Sequence, residues 1–447
     1  MTRLHPPESV REICRTLERA GHEAWCVGGA VRDALLGIET LDWDIATSAL
    51  PEQVQKLFRR TVPVGVQFGT VGVLDKQGVL HEVTTFRHDV ETDGRHAVVR
   101  FGASLTEDLA RRDFTINAIA VHPETLEVRD PFDGRADLGQ RIVRCVGEPA
   151  ERMREDRLRA LRALRFAGRF DFALDAATWT AIEESAPHLS RLSMERVKQE
   201  LEKVMEQVAR PSVTLQRYRD AGIFAALIPL LADAPRARFA AIDHLARPAL
   251  VRRPDRRMLR LAALFVEPGV APARTLERDL KALKFSNDEV RATLTLARGA
   301  AEVTMDRLRA IAASASGPTA PASDASDDAP ASEISSAESV ELRRVIARVG
   351  RLMVPGLSRL LWARAKAEGV GAAEGRAGVA LYRKALRSAF ADPLTVGDLA
   401  IDGEDLRQAG VPVGKAMGET LQRLLELVLV DPRRNTRESL LAHVRGD

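Results

Sequence analysis

Aromatic residues make up only 4% of the 447-residue sequence, and just two are tyrosine. Binding RNA mainly by stacking bases on rings needs several exposed aromatics, so that mode is excluded as the principal one. Cysteine is equally scarce. Cys14, Cys26 and Cys145 have no metal-ligand spacing and cannot all pair, which argues against a disulfide framework and fits free thiols in a reducing cytoplasm. No run of 18 apolar residues occurs, and the opening MTRLHPPESV has no apolar signal-like stretch, so a cytoplasmic protein with no membrane partner is expected. Net charge is low, +3, because opposite extremes cancel: Arg87 to Arg169 is crowded with arginine, while the stretch near 320–340 is acidic. Local positive charge suits a nucleotide or nucleic acid; a solvated charged face has the same composition.

What is present reads as several domains, since the chain is too long for one compact core. Residues 8–20 have the apolar spacing of an amphipathic helix, and Glu23–Val27 reads as a short strand running into two glycines. VRDALLG is a helical turn and a half, PEQVQKLFRR a helix with Pro51 in its first turn, and WDIAT, VPVGVQ, GTVGVLD and LHEVTTFR are strands joined by short turns. This is an α/β region of largely antiparallel character. After Gly147 helical patterns dominate. Residues 312–340 are small, polar and acidic, the composition of a disordered linker, and a last helical region follows.

The chemistry concentrates in CVGGAVRDALLGIETLDWDIAT, residues 26–47. Residues i and i+2 of a strand share a face, so Asp42 and Asp44 present two carboxylates together while Trp43 turns to the core. Paired carboxylates repel unless a cation lies between them, and hard oxygen ligands favour Mg²⁺. A bare DxD also arises as two ordinary surface aspartates. Gly28–Gly29 before a helix start lets backbone N–H groups approach phosphate closely, with Arg32 in reach and Asp33 free to cap or pair locally; a plain strand-to-helix turn has the same glycines. Glu82 is placed by alternation as a third carboxylate, or as a structural one.

GGAVRD, DWD, RRDFTINA at 111–118 and GEPAERMREDRLRALRALRF at 147–166 occur in an order that resembles the tRNA nucleotidyltransferase and poly(A) polymerase family, the class II nucleotidyltransferases. The resemblance covers roughly residues 20–200. It implies an α+β, polymerase-β-like nucleotidyltransferase head with a mixed sheet (1–140), then an all-α neck (141–205), body (206–311), linker (312–340) and tail (341–447). It implies that Asp42 and Asp44 bind catalytic Mg²⁺, that Gly28, Gly29 and Arg32 form the triphosphate turn, and that Arg112 contacts nucleotide with Asp113 and Asn117 in support. Asp156 and Arg159 match the pair that reads the incoming base, with Glu155 beside them and Arg162 and Arg165 behind. Leu158, Leu161 and Leu164 recur on one flank of that helix and the charged residues on another. Cytosine N4 and adenine N6 donate beside ring nitrogens that accept, which a carboxylate beside a guanidinium complements. A ladder of i,i+3 salt bridges has the same spacing.

The implied reaction is addition of CCA, or of its terminal A, to a tRNA 3′ end from CTP and ATP. Rival readings are a poly(A) polymerase and a non-catalytic RNA-binding protein on the same scaffold. VGVQFGTVGVL at 64–74 resembles the strand of CCA-type enzymes, and FRHDVETDGRHAVVRF at 86–101 resembles the flexible loop of CCA- and A-adding members. That loop has Thr92 where an aromatic and Ala97 where a proline is common. LRLAALFVEPGVAP at 259–272 lacks the His-Asp pair of a metal phosphohydrolase, so only a scaffold is expected there. Gly410, Gly414 and Gly418 fit either close helix packing or backbone contact to RNA phosphate.

Overall fold

The computed structural model describes residues 4–40, 42–92, 97–246, 255–267, 269–303, 336–369 and 372–446. They divide into two compact units, Met1–Asp233 and Ala234–Asp447.

The first unit is built on helix α1 (Glu8–Arg19) and strand β1 (Ala24–Val27), followed by α2 (Gly29–Leu35), β2 (Asp44–Thr47), α3 (Pro51–Leu57), β3 (Thr61–Gly65), β4 (Thr70–Leu74) and β5 (Leu80–Thr85). A hairpin, β6 (Arg87–Thr92) and β7 (Ala97–Phe101), corresponds to the segment expected to be a flexible loop. Then come α4 (Leu105–Ala110), β8 (Ala120–Val121) and β9 (Val128–Arg129). Seven strands pair in the order β3-β4-β5-β2-β1-β8-β9. Only β2 and β5 run parallel, so the sheet is mixed.

Register explains why the sheet has two different faces. Cys26, Ile45, Val71, Val73 and Val83 fall on one side, are buried, and lie toward α1 and α3. Helix α1 meets them with Val10, Ile13, Cys14 and Leu17, the i, i+3, i+4, i+7 spacing of an apolar stripe. The other side carries Val27, Asp44, Ala46 and Glu82. There Trp25, Val27 and Ala46 join Leu105 and Leu109 of α4 in a second core cluster. The carboxylates therefore stand beside a packed α4, on the face that α1 and α3 leave alone.

The chain then turns helical: α5 (Gly134–Gln140), α6 (Pro149–Glu155), α7 (Leu158–Phe170), α8 (Ala176–Ser185) and α9 (Met194–Gln207). Leu158, Leu161 and Leu164 of α7 are buried as the spacing predicts, along with Ala160, Ala163, Phe166, Ala167 and Phe170. Helices Pro211–Asp220 and Ile223–Leu227, in the region read as body, close this unit.

In the second unit, helix Lys415–Val430 contributes Leu425 and Leu429 to one core cluster with Ile346, Val354 and Ala389. It contributes Leu424 and Val428 to another with Ile401, Leu406 and Leu440. The segment 259–266 is buried, mostly apolar core. Residues 312–335 of the expected linker lie outside the described residues; 336–340 are not linker but open the helix Ser336–Val349, whose register carries Ile346 into that first cluster. A Cβ on Gly410, Gly414 or Gly418 would meet nothing within 4 Å, so none of the three marks close packing within this unit.

Candidate active site

The site begins where β1 ends. Val27 pairs with Asp44, so the next residue, Gly28, is set against that carboxylate. Gly28 has φ 76° and ψ −137°, a region strained for any side chain. A Cβ there would lie 3.0 Å from Nη1 of Arg112 and 3.3 Å from Oδ2 of Asp44. The glycine is thus the contact point between the DxD strand and the RRDFTINA block. Asp42 is exposed two residues ahead of the strand, Trp43 is 3% exposed, and Asp44 is half-buried, so the alternation read from sequence holds two residues beyond the strand itself.

Burial, followed by the negative charge of Asp42, pushes the Asp44 carboxyl up to about 6; Arg112 opposes this and Glu82 adds to it. Glu82 is exposed on β5, on the same face. Neither Asp42 nor Asp44 has an ion-pair or side-chain hydrogen-bond partner among the described residues. These are the properties of carboxylates suited to a divalent cation. Among the described residues no group of three His, Cys, Asp or Glu side chains is placed to hold a metal ion.

Arg112 is fixed by Asp108, which accepts from its Nη2 at 3.1 Å and from Nε and Nη2 of Arg111 at 3.0 and 2.8 Å. The Arg112 Nε is buried without a hydrogen-bond partner. Arg32 has a different situation. It is 3% exposed, donates to Asp33 (2.8 Å) and to Oδ1 of Asn117 (2.5 Å), and lies over the rings of Phe166 and Phe170 at 5.0 and 4.7 Å. It supports the glycine turn from beneath and ties it to α7. Asp33 completes the tie by accepting from Arg169 at 2.8 Å.

Asn117 turns its amide N–H to Oδ1 of Asp113 at 2.8 Å, and Oδ2 of Asp113 accepts from Nε and Nη2 of Arg162 at 2.8 and 2.5 Å. Burial would raise the Asp113 carboxyl, but the charge of Arg162 and the hydrogen bonds from Asn117 and Arg162 bring it down to about 2. A continuous line therefore runs from the glycine turn through Arg32, Asn117 and Asp113 to α7.

Asp156 sits between α6 and α7 in extended backbone, so the charged ladder read as one helix starts one turn late. Its Oδ1 accepts from the Leu158 amide at 3.1 Å and its Oδ2 from Arg196 at 2.7 Å. Arg159 donates to Glu155 (2.6 Å) and to the carbonyls of Arg152 (2.9 Å) and Arg111 (3.2 Å). Arg165 is 4% exposed and bonded to Glu200 at 2.6 Å and Gln207 at 3.2 Å, which sets it in the core between α7 and α9 rather than with the others. Asp108, Arg169 and Arg196 were not legible as site residues. Asp108 had one signal, since it stands four residues before Arg112 on a helix; the other two act across 136 and 40 residues.

Comparison with known proteins gives a consistent result. A model described as Poly A polymerase head domain matches residues 24–144, and one described as a probable RNA and SrmB-binding site of polymerase A matches 171–234. A CCA-adding enzyme of Geobacillus kaustophilus (strain HTA426) is 37% identical over 447 residues, 98% of this chain and 97% of its own. One from Limosilactobacillus reuteri (strain DSM 20016) is 47% identical over 200 residues, 44% of this chain and 49% of its own. The crystal structure of Bacillus stearothermophilus CCA-adding enzyme in complex with CTP aligns with a TM-score of 0.71 at 31% identity, covering 99% of this chain and 97% of that one.

Proposed function

The chain belongs to the family of CCA-adding enzymes, and from that premise we propose how its residues divide the work. The reaction is template-independent addition of CCA to a tRNA 3′ end from CTP and ATP. The tRNA 3′ hydroxyl attacks the α-phosphate of the incoming nucleotide in line, and pyrophosphate leaves. Asp42 and Asp44 hold the divalent cation the family uses, Mg²⁺ in this reading; when bound it neutralises phosphate charge and activates the hydroxyl. Gly28, Gly29 and Arg112 receive the triphosphate, and Arg32 holds that turn in place from behind. Asp156 and Arg159 read the base edge, Glu155 orients Arg159, and Asp113 and Asn117 connect the two halves. The head, neck, body and tail boundaries read from sequence are retained as the working division, and a cytoplasmic location suits an enzyme whose partner is tRNA. No helix among the described residues is long and apolar enough to cross a membrane.

The observation that carries this reading is the convergence on Gly28 of Asp44 from β2 and Arg112 from the segment after α4. Similarity over nearly the whole length to CCA-adding enzymes supports all three additions rather than the terminal A alone. The test is incorporation of each nucleotide singly into tRNA lacking CCA, tRNA ending in CC and an unstructured RNA. Expected are CTP then ATP on the first and ATP alone on the second. Long A tails on the unstructured RNA would make it a poly(A) polymerase, and undiminished incorporation by Asp42→Ala would defeat the proposed site.

A further inference from the structure

A carboxylate that distinguishes cytosine from uracil must hold one oxygen toward the base with a fixed direction, because a freely turning group accepts from many angles. Asp156 has no helix to hold it. It lies between α6 and α7 with φ −145° and ψ 102°. Its side chain is fixed instead by one bond to each oxygen: Oδ1 to the Leu158 amide at 3.1 Å, and Oδ2 to Nη2 of Arg196 at 2.7 Å. The first bond is local and follows the start of α7. The second comes from α9, whose first turn is itself secured by Ser193 as its cap, with the Ser193 hydroxyl accepting from the Arg196 amide.

Arg159 is anchored separately, through Glu155 and the carbonyls of Arg152 and Arg111. No ion pair joins Asp156 to Arg159 among the described residues. This matters chemically. Paired to one another, the two would satisfy their own donor and acceptor edges. Held by different neighbours, Asp156 keeps acceptor capacity and Arg159 donor capacity that neither spends on the other. Each Asp156 oxygen has a lone pair beyond the one already used.

We propose that Arg196 is a positioning residue for nucleotide selection: through its bond to Oδ2 it fixes the orientation in which Asp156 meets the base. This rests on the reading of Asp156 as a base-reading group. Arg196 and Asp156 are 38% and 29% exposed as side chains, so the pair contributes little to folding and its loss is read in selection rather than in stability.

The test is steady-state incorporation into tRNA lacking CCA with CTP, UTP, ATP and GTP supplied singly, for wild type, Arg196→Ala, Arg196→Lys and Asp156→Ala, with thermal unfolding of each. Arg196→Ala should raise the KM for CTP and shrink the CTP-to-UTP preference in kcat/KM about tenfold, with kcat changed much less. Arg196→Lys should restore most of the preference, since it replaces a charged donor. An Arg196→Ala enzyme that loses the same factor with all four nucleotides, or none with any, overturns the proposal when Asp156→Ala has lost its base preference. An Asp156→Ala enzyme that keeps its base preference overturns the reading beneath it. If Arg196→Ala unfolds at assay temperature the role is structural, and an Arg196→Lys protein that folds but lacks preference gives the same negative answer.

Discussion

Arg162 places both Nε and Nη2 on one oxygen of Asp113, at 2.8 and 2.5 Å, leaving the other oxygen to Asn117 and the Phe114 amide. The carboxylate is shared between the segment that follows α4 and the helix proposed to read the base. Asp113→Asn should keep the shape and lose the charge, lowering stability by about 2–3 kcal/mol in a denaturant titration. A double-mutant cycle with Arg162→Met should show coupling of about 1–3 kcal/mol. Additive effects would mean the pair is geometric only. Because Asp113 is held at about 2, its contribution is complete above pH 4 and is lost only as pH falls toward 2.

Asp44 has the opposite sign. Its carboxyl is raised in the folded protein to about 6 from an ordinary 3.8, so the protonated form is favoured by folding. Stability associated with it is complete below pH 4 and is lost as pH rises through 6. Asp44→Asn should therefore abolish incorporation yet stabilise the metal-free protein at pH 7 by about 1–3 kcal/mol. The difference should vanish near pH 4, and added Mg²⁺ should narrow it at pH 7. A variant no more stable than wild type in EDTA at pH 7 would show that Asp44 is not under electrostatic strain.

At Gly28 an added methyl group meets both Arg112 and Asp44, on a backbone that L side chains rarely adopt. Gly28→Ala should cost about 1–3 kcal/mol of stability and weaken CTP binding measured by calorimetry without metal. Unchanged CTP affinity would remove the turn from the nucleotide site.

Arg165 and Arg162 lie three residues apart yet should behave differently. Arg165 is bonded to Glu200 in the core, and Arg165→Met breaks a buried pair, with an expected loss of about 2–4 kcal/mol. Its KM values for CTP and ATP should stay near wild type at a temperature where it is folded. A large KM change in a stable Arg165→Met protein would return Arg165 to the nucleotide-binding set.

The sequence was most informative where chemistry and local geometry coincide. Alternation placed Asp42, Trp43 and Asp44, and helical spacing placed Leu158, Leu161 and Leu164, because each depends on neighbours only a few residues away. The start of α7 was less legible: Asp156 fits the i,i+3 ladder numerically, yet its backbone is extended and its partner is on α9. The resemblance carried Arg32 into the triphosphate turn and Arg165 into the nucleotide-binding set behind the base-reading pair, and burial of both could not be read from a motif, which records residue type and not depth. Asp33–Arg169 and Asp156–Arg196 are contacts of tertiary structure, invisible until α2, α7 and α9 are packed.

Asn117 has a neutral side chain whose planar end carries an acceptor and a donor, and it uses the first for Arg32 and the second for Asp113. That makes it an electrical spacer. Along Asp33, Arg32, Asn117, Asp113 and Arg162 the formal charges run minus, plus, zero, minus, plus. Two ion pairs thus share one line without either cation having to choose between carboxylates. An aspartate at 117 would set like charges face to face, and a serine would fall short of the span. The amide also gives the line a direction, since reversing it would turn N–H groups toward Arg32 and a carbonyl toward a carboxylate. The glycine turn and the helix α7 are therefore registered to one another in a single sense, by the one residue between them that carries no charge.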